Sequence, residues 1–134
     1  MRFFNIPGNP VCLAGPHHDS GNDQHTCARQ SRIRTAYLLQ HAGKPAAAGP
    51  LTLTIQAWYP VPRSHTREQR LEIRRQVHRP AGEPALDSLS RLILLSLQGL
   101  AYHNTSQVVH LHLIKRYASQ LVSSGNVLVS LGEH

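Results

Sequence analysis

The sequence predicts an α+β domain with one mixed β-sheet of about four strands and two to three helices packed chiefly on one face of the sheet. Four segments show the alternation of apolar and polar residues that is typical of strands. A leucine-rich segment with helical spacing lies between the second and third of them. A chain of 134 residues is long enough for one core but not for two, so residues 1–134 are interpreted as a single domain.

The N-terminal part is predicted to contain a strand, a loop and a helix. Residues 1–6 alternate weakly and are followed by Pro7 and Gly8, which favour the end of a strand. The segment 9–24 is rich in proline and glycine and is predicted to be a loop. Apolar residues at helical spacing from Thr26 to His41 predict an amphipathic helix.

The clearest strand in the sequence runs from Leu51 to Tyr59. Leucine, isoleucine and alanine alternate there with threonine and glutamine. We expect one face of this strand to be buried and the other to be at least partly in contact with water.

The most basic stretch, residues 63–82, follows that strand. Thr66 and Gln69 have the spacing of a capping box, so we expect a short helix from Thr66 to about Val77. Its guanidinium groups would point to several sides, as in a flap that contacts DNA phosphates. An ordinary solvated helix is the alternative interpretation. The candidate nucleic-acid-binding residues are Arg63, Arg67, Arg70, Arg74, Arg75 and Arg79.

The leucine-rich helix lies within residues 84–107. Its predicted start is Asp87 or Ser88, and its predicted end is Gly99. A side-chain oxygen of Asp87 is expected to cap the first turn, and Arg91 follows one turn later on the same face. A cap and a surface ion pair are the simplest interpretation of these two charged residues.

The apolar residues of this helix cover more than one face. Those at helical spacing are Leu86, Leu89, Leu92, Ile93, Leu97 and Leu100. Leu94 and Leu95 widen the apolar surface beyond a single core-facing stripe. The pattern therefore predicts a homodimer that forms through this helix.

Two further strands are predicted near the C-terminus. Residues 107–117 alternate, with Val109, Leu111 and Leu113 on one side and His110 and His112 among the residues on the other. Residues 126–131 form the last predicted strand, most simply as a hairpin partner of the preceding one.

The charge balance indicates the class of partner. Fourteen Lys and Arg residues against seven Asp and Glu give a formal charge of +7, which favours a polyanion such as nucleic acid. Cys12 and Cys27 are too few and too dissimilarly placed for a disulfide framework or a zinc site of paired cysteines. No segment has the length of a membrane span and the N-terminus lacks the apolar core of a signal peptide, so we expect a soluble cytoplasmic protein with no membrane partner.

Three short motifs resemble those of one nuclease family. They are Pro84-Ala-Leu-Asp-Ser88, Gly99-Leu-Ala-Tyr102 and Asn104-Thr-Ser-Gln-Val-Val109. The order and spacing of these motifs resemble those of the RusA-type Holliday junction resolvases, and the likeness extends over nearly the whole chain. The resemblance implies the α+β fold, a homodimer, branched DNA as substrate and Mg²⁺, or alternatively Mn²⁺, as cofactor.

The resemblance also implies a metal site built from several aspartates, with a lysine one turn into the helix. At the corresponding positions this sequence has Ala85, Asp87, Arg91, Asn104 and Thr105. The implied catalytic residues are therefore Asp87 and Arg91. The implied metal ligands are Asp87 with the neutral oxygens of Asn104 and Thr105, which supply no charge to a strongly hydrated dication. We predict that DNA cleavage is absent or severely reduced.

Histidine offers an alternative ligand set. His110 and His112 share one face of a strand, and His103 lies just before it, so these imidazoles with Asp87 would favour Mn²⁺ or Zn²⁺. The plain alternative is that the histidines are ordinary polar surface.

Three functions therefore remain open at this point. The first is a diverged Mg²⁺-dependent junction endonuclease, and the second is a junction-binding protein of DNA recombination and repair that no longer cleaves. The third is a protein-interaction factor, phage-encoded as many family members are, that binds an acidic protein surface. We favour association with DNA junctions.

Overall fold

The computed structural model of the chain describes residues 1–8, 10, 23–60, 67–68, 85–117 and 125–134. In chain order, the elements are the strand β1 (Arg2–Pro7), the helix α1 (Asp23–His41), the strand β2 (Leu51–Tyr59), the helix α2 (Leu86–Leu97), a 3₁₀ turn (Thr105–Gln107), and the strands β3 (Val108–Tyr117) and β4 (Asn126–Glu133). The described helices include none that is long and apolar enough to cross a membrane.

The four strands form one mixed sheet in the order β1-β4-β2-β3. β4 is antiparallel to both of its neighbours, whereas β2 and β3 are parallel. A parallel pair requires a long crossover connection, and α2 lies on the connection between β2 and β3. The α+β class with one mixed sheet is confirmed. The predicted hairpin of β3 and β4 is wrong, because β2 lies between these two strands.

The core lies on one face of the sheet, where both helices pack. Leu53 and Ile55 of β2 are fully buried beside Leu131 and Val129 of β4. The alternate residues of β2 point to the other face and are half-buried, as the sequence predicted. Because every second residue is apolar, one sheet can present a buried surface to the helices and a polar surface on its opposite side.

A register shift at the start of β3 changes which residues face the core. Leu51 is paired with Val108 but Thr52 is paired with His110, so one extra residue is inserted in β3. Val108 consequently packs against the core, while Val109 is 57% exposed. The predicted alternation, which places Val109 on one side of the strand with Leu111 and Leu113, is therefore interrupted at Val109.

Helix α2 buries a stripe of apolar residues that comprises Leu89, Leu92, Ile93 and Leu97. Its N-cap residue is Ala85, whose side chain makes no capping bond. The helix thus begins before the predicted start, and Asp87 lies within the first turn. The predicted capping role of Asp87 is wrong. Leu94 is half-buried and Leu95 is 37% exposed, so the apolar surface of α2 does extend beyond the core.

Helix α1 is joined to its neighbours by polar contacts at its buried face. Nε2 of His41 donates to the carbonyl oxygen of Phe3 over 2.7 Å, and Nη1 of Arg2 donates to the hydroxyl of Tyr37 over 2.8 Å. Nε of Arg34 donates to the carbonyl oxygen of Ser96 in α2 over 2.9 Å. These bonds fix α1 between β1 and α2.

The predicted loop and basic flap are described only in part. Arg67 and Glu68 have helical backbone conformation and exposed side chains, in agreement with the helix expected there. The remaining predicted helix residues, and most of the loop 9–24, lie outside the described residues.

The chain reverses after α2 at a turn that depends on Gly99 and Tyr102. Gly99 has a φ of +87°, a conformation that a side chain would strain, and its N–H donates to the carbonyl oxygen of Tyr102 over 2.7 Å. The buried hydroxyl of Tyr102 donates to the carbonyl oxygen of Leu94 over 2.5 Å. Burial raises the pKa of Tyr102 well above its usual range, because the phenolate would lose its hydration.

We predict that Tyr102→Phe lowers the free energy of unfolding by about 1–2 kcal/mol at neutral pH, since the carbonyl of Leu94 loses its buried donor. Because the pKa of Tyr102 is lower in the unfolded chain, its stabilising effect should be complete below about pH 10 and should fall progressively as the pH rises above that value. Urea titrations of the wild type and the variant at neutral and alkaline pH measure both effects. The exposed Leu39→Ala is the control, and equal stability of wild type and Tyr102→Phe at neutral pH would contradict the assignment.

Candidate functional site

Asp87 is the one carboxylate that the sequence assigned to a metal, and it lies on the first turn of α2. Its side chain is exposed, and its backbone carbonyl accepts a hydrogen bond of 2.8 Å from the hydroxyl of Ser90. The first turn of a helix has backbone N–H groups without helical partners, so a negative charge is favourable there. Asp87 is thus a solvent-accessible anion that the fold can hold without loss of stability.

Arg91 follows Asp87 by one helical turn and is also exposed. Leu95 and Gln98 continue the same exposed stripe along α2. The guanidinium group of Arg91 can bind a phosphate but cannot transfer a proton at ordinary pH. This stripe therefore combines one anion, one cation and an exposed leucine along a single helix face.

Asn104 begins the 3₁₀ turn that leads into β3. Its Oδ1 accepts a hydrogen bond of 2.9 Å from the N–H of Ser106, and Oε1 of Gln107 accepts one of 2.9 Å from the N–H of Asn104. This reciprocal pair is a capping box. The amide oxygen of Asn104 consequently has a structural partner, which competes with any metal.

Gln107 joins the turn to the segment before β2. Its Oε1 also accepts from the N–H of His103 over 2.8 Å, and its Nε2 donates to the carbonyl oxygens of Ala47 and Gly49 over 2.8 and 3.0 Å. Sequence reasoning missed this role. The signal was present, because Asn104 and Gln107 have the same capping-box spacing that was recognised at residues 66 and 69.

Thr105 is attached to the C-terminal end of α2. Its N–H donates to Oε1 of Gln98, the C-cap residue, over 3.2 Å. Asp87 lies at the opposite end of the helix, eleven residues before Gln98, which corresponds to about 16 Å along the helix axis. Metal ligands lie about 2–2.6 Å from their ion, so a single chain does not bring Asp87 and Thr105 to one metal.

The described residues of one chain do not fit a magnesium ion. They contain no group of three His, Cys, Asp or Glu side chains that could hold a metal. Mg²⁺ requires several hard oxygen ligands, usually with carboxylate charge, and here one exposed carboxylate is separated from the two neutral side chains. The described residues of one chain therefore do not support a metal-dependent catalytic step.

The histidines of β3 lie on the side of the sheet opposite to the helices. His110 is paired with Thr52 and His112 with Thr54, which are residues of the face that α2 does not cover. The two imidazole rings stack on each other with centroids 4.4 Å apart. His103 is exposed in the turn after α2. The fold does not bring His110 and His112 together with Asp87.

Of the six arginines assigned to DNA, Arg67 is described, and its side chain is exposed. The other five, which are Arg63, Arg70, Arg74, Arg75 and Arg79, lie outside the described residues. Their role stays a prediction from the sequence.

Comparison with known protein families gives one finding. The sequence profile of the family described as "Endodeoxyribonuclease RusA" matches residues 21–122. The matched segment contains α1, β2, α2, the 3₁₀ turn and β3. No curated protein matches the chain.

We predict that Gln107→Ala lowers the free energy of unfolding by about 1–3 kcal/mol, since it removes four hydrogen bonds to backbone groups of two segments. Gln107→Glu should also lower the free energy of unfolding, because a carboxylate oxygen would replace Nε2 and face the carbonyl oxygens of Ala47 and Gly49. Denaturant titrations measure both changes. Gln40→Ala, at an exposed position of α1, is the matched control, and a Gln107→Ala variant as stable as this control would refute the assigned role.

Proposed function

We propose that this chain, which belongs to the RusA endodeoxyribonuclease family, binds Holliday junctions and other branched DNA in recombination and repair. The observation that carries the proposal is the family match over residues 21–122. The family suggests a Holliday junction resolvase function. The matched segment includes the helix and the turn that contain every position assigned to the catalytic site.

The charge of the chain supports DNA as the partner. The formal charge is +7, and the exposed Arg67 and Arg91 belong to the basic stretch and to α2, respectively. Positive charge binds DNA phosphates by releasing condensed counterions, which makes the affinity strongly dependent on salt. We propose that the six arginines of residues 63–82 supply most of these phosphate contacts.

We further propose that cleavage is severely reduced. Mg²⁺, or Mn²⁺ in its place, would supply an activated water and would neutralise the charge that develops on the phosphate. In this chain Asp87 is the remaining acid of the family pattern, and Arg91 can hold the scissile phosphate without serving as an acid or a base. Loss of one well-placed electrostatic group typically lowers a rate by about two to three orders of magnitude.

A homodimer is the second part of the proposal, and the exposed stripe of α2 supports it. Leu95 is 37% exposed and Leu94 is half-buried at the middle of this helix. If α2 packs antiparallel to its copy around a twofold axis, the Asp87 end of one helix lies against the Thr105 end of the other. A dimer thus brings together the groups that a single chain separates. Its twofold symmetry also matches the paired strands of a four-way junction.

The first test is incubation of purified protein with a labelled four-way junction in Mg²⁺ or Mn²⁺. We expect a junction-selective complex and little or no product. Asp87→Asn, which removes the charge at constant size, should abolish any residual nicking and leave the complex intact. Rapid, symmetric nicking by the wild type would contradict the proposed impairment, whereas a failure to bind the junction would contradict the proposed function.

The dimer is tested by sedimentation velocity. Leu95→Glu introduces a carboxylate at the proposed interface, and we expect it to shift the protein from dimer to monomer. Leu39→Glu makes the same change at an exposed leucine of α1 and should leave the dimer intact. A wild-type monomer, or equal sedimentation of all three proteins, would refute an interface through α2.

A further inference from the structure

One face of the sheet is not covered by either described helix. Its side chains alternate along the four strands with the buried ones, and we call it the open face. The open face includes Phe3 of β1, Trp58 of β2 and His112 of β3. The residues paired with them on neighbouring strands alternate with the residues of the core.

Aromatic rings stand at both sides of the open face. Phe3 is 51% exposed on β1, and the exposed His110 and His112 stack on each other on β3 with an angle of 23° between their planes. Phe3 and His112 lie in one cross-strand row, through Ser130 and Thr54. Three strand spacings separate them, which corresponds to about 14 Å. The hydroxyl groups of Ser130 and Thr54 therefore lie between two exposed π surfaces.

The charge of the open face is positive. Arg116 lies on this face beside Trp58, and its buried Nε has no hydrogen-bond partner in the described part of the chain. The ring of His134 is 6.1 Å from that of His110, measured between centroids. Among the described residues no Asp or Glu side chain belongs to the open face, since Glu133 is paired with Leu51 of the core-facing row. Arg116 is thus the charged side chain that the described strands place on the open face, and it favours an anionic ligand.

We propose that the open face binds single-stranded DNA, with bases stacked on Phe3 and on the imidazole pair and with a phosphate held by Arg116. Aromatic rings stack on bases that a duplex does not enclose, and such stacking tolerates any sequence. A hydrophobic protein partner would favour a contiguous apolar patch, whereas here the rings are separated by hydroxyl groups. The inference rests on the proposed function, because branched DNA offers unpaired bases where its strands separate.

The test measures fluorescence anisotropy of a short labelled oligothymidine with the wild type and with two variants of the open face. Phe3→Ala and the double variant His110→Gln/His112→Gln should each weaken binding by about 5- to 50-fold. The matched controls are Leu39→Ala and His103→Gln, which change the same kinds of exposed side chain away from the open face and should bind as the wild type does. If Phe3→Ala reduces the folded fraction, Thr54→Glu replaces it, because it adds a negative charge at the centre of the face.

The same proteins are measured with a four-way junction, so that the two proposals are separated. Wild-type protein that binds the junction but not oligothymidine overturns the open-face site and leaves the proposed function intact. Equal oligothymidine affinity in the face variants and the controls also overturns it. Face-dependent binding of oligothymidine without selectivity for the junction supports the open-face site and contradicts the proposed function.

Discussion

The hydrogen bonds of the Gln107 side chain are the constraint on which the arrangement of the site depends. They connect the turn after α2 to the backbone of Ala47 and Gly49, immediately before β2. β3 therefore starts beside β2 and runs parallel to it, and α2 becomes the crossover between them. Because a crossover helix runs opposite to its strands, its first turn and the start of β3 lie at opposite ends of the domain.

The distance between the two ends of α2 determines whether one chain can bind a metal ion with the predicted ligands. Asp87 and Thr105 lie about one helix length apart, and no small displacement of side chains can bring them to one ion. The exposed stripe of α2 between them contains both a cation and an exposed leucine, which suits contact with a second copy better than solvation alone. The poor fit of one chain to a metal and the proposed dimer thus both depend on this helix.

Much of the fold could be predicted because its strands alternate regularly and α2 has a pronounced leucine stripe. The hairpin of β3 and β4 could not be excluded from sequence, since strand order depends on contacts between distant segments rather than on local pattern. The inserted residue at Val109 depends on the register of β3 with β2. The start of α2 at Leu86 depends on an N-cap residue whose side chain makes no capping bond. The site residues stay predictions from the sequence, and their separation along α2 could be seen only in the three-dimensional arrangement.

We propose that the chain recognises branched DNA whether or not it cleaves it. The most direct measurement is a competition in solution, in EDTA and at fixed salt, between a labelled four-way junction and an unlabelled linear duplex with the same sequences. We expect the junction to bind at least about tenfold more tightly than the duplex, which corresponds to about 1.4 kcal/mol. Equal competition by the linear duplex would mean that the positive charge of the chain attracts DNA without recognising its branches, and would contradict the proposed recognition of junctions.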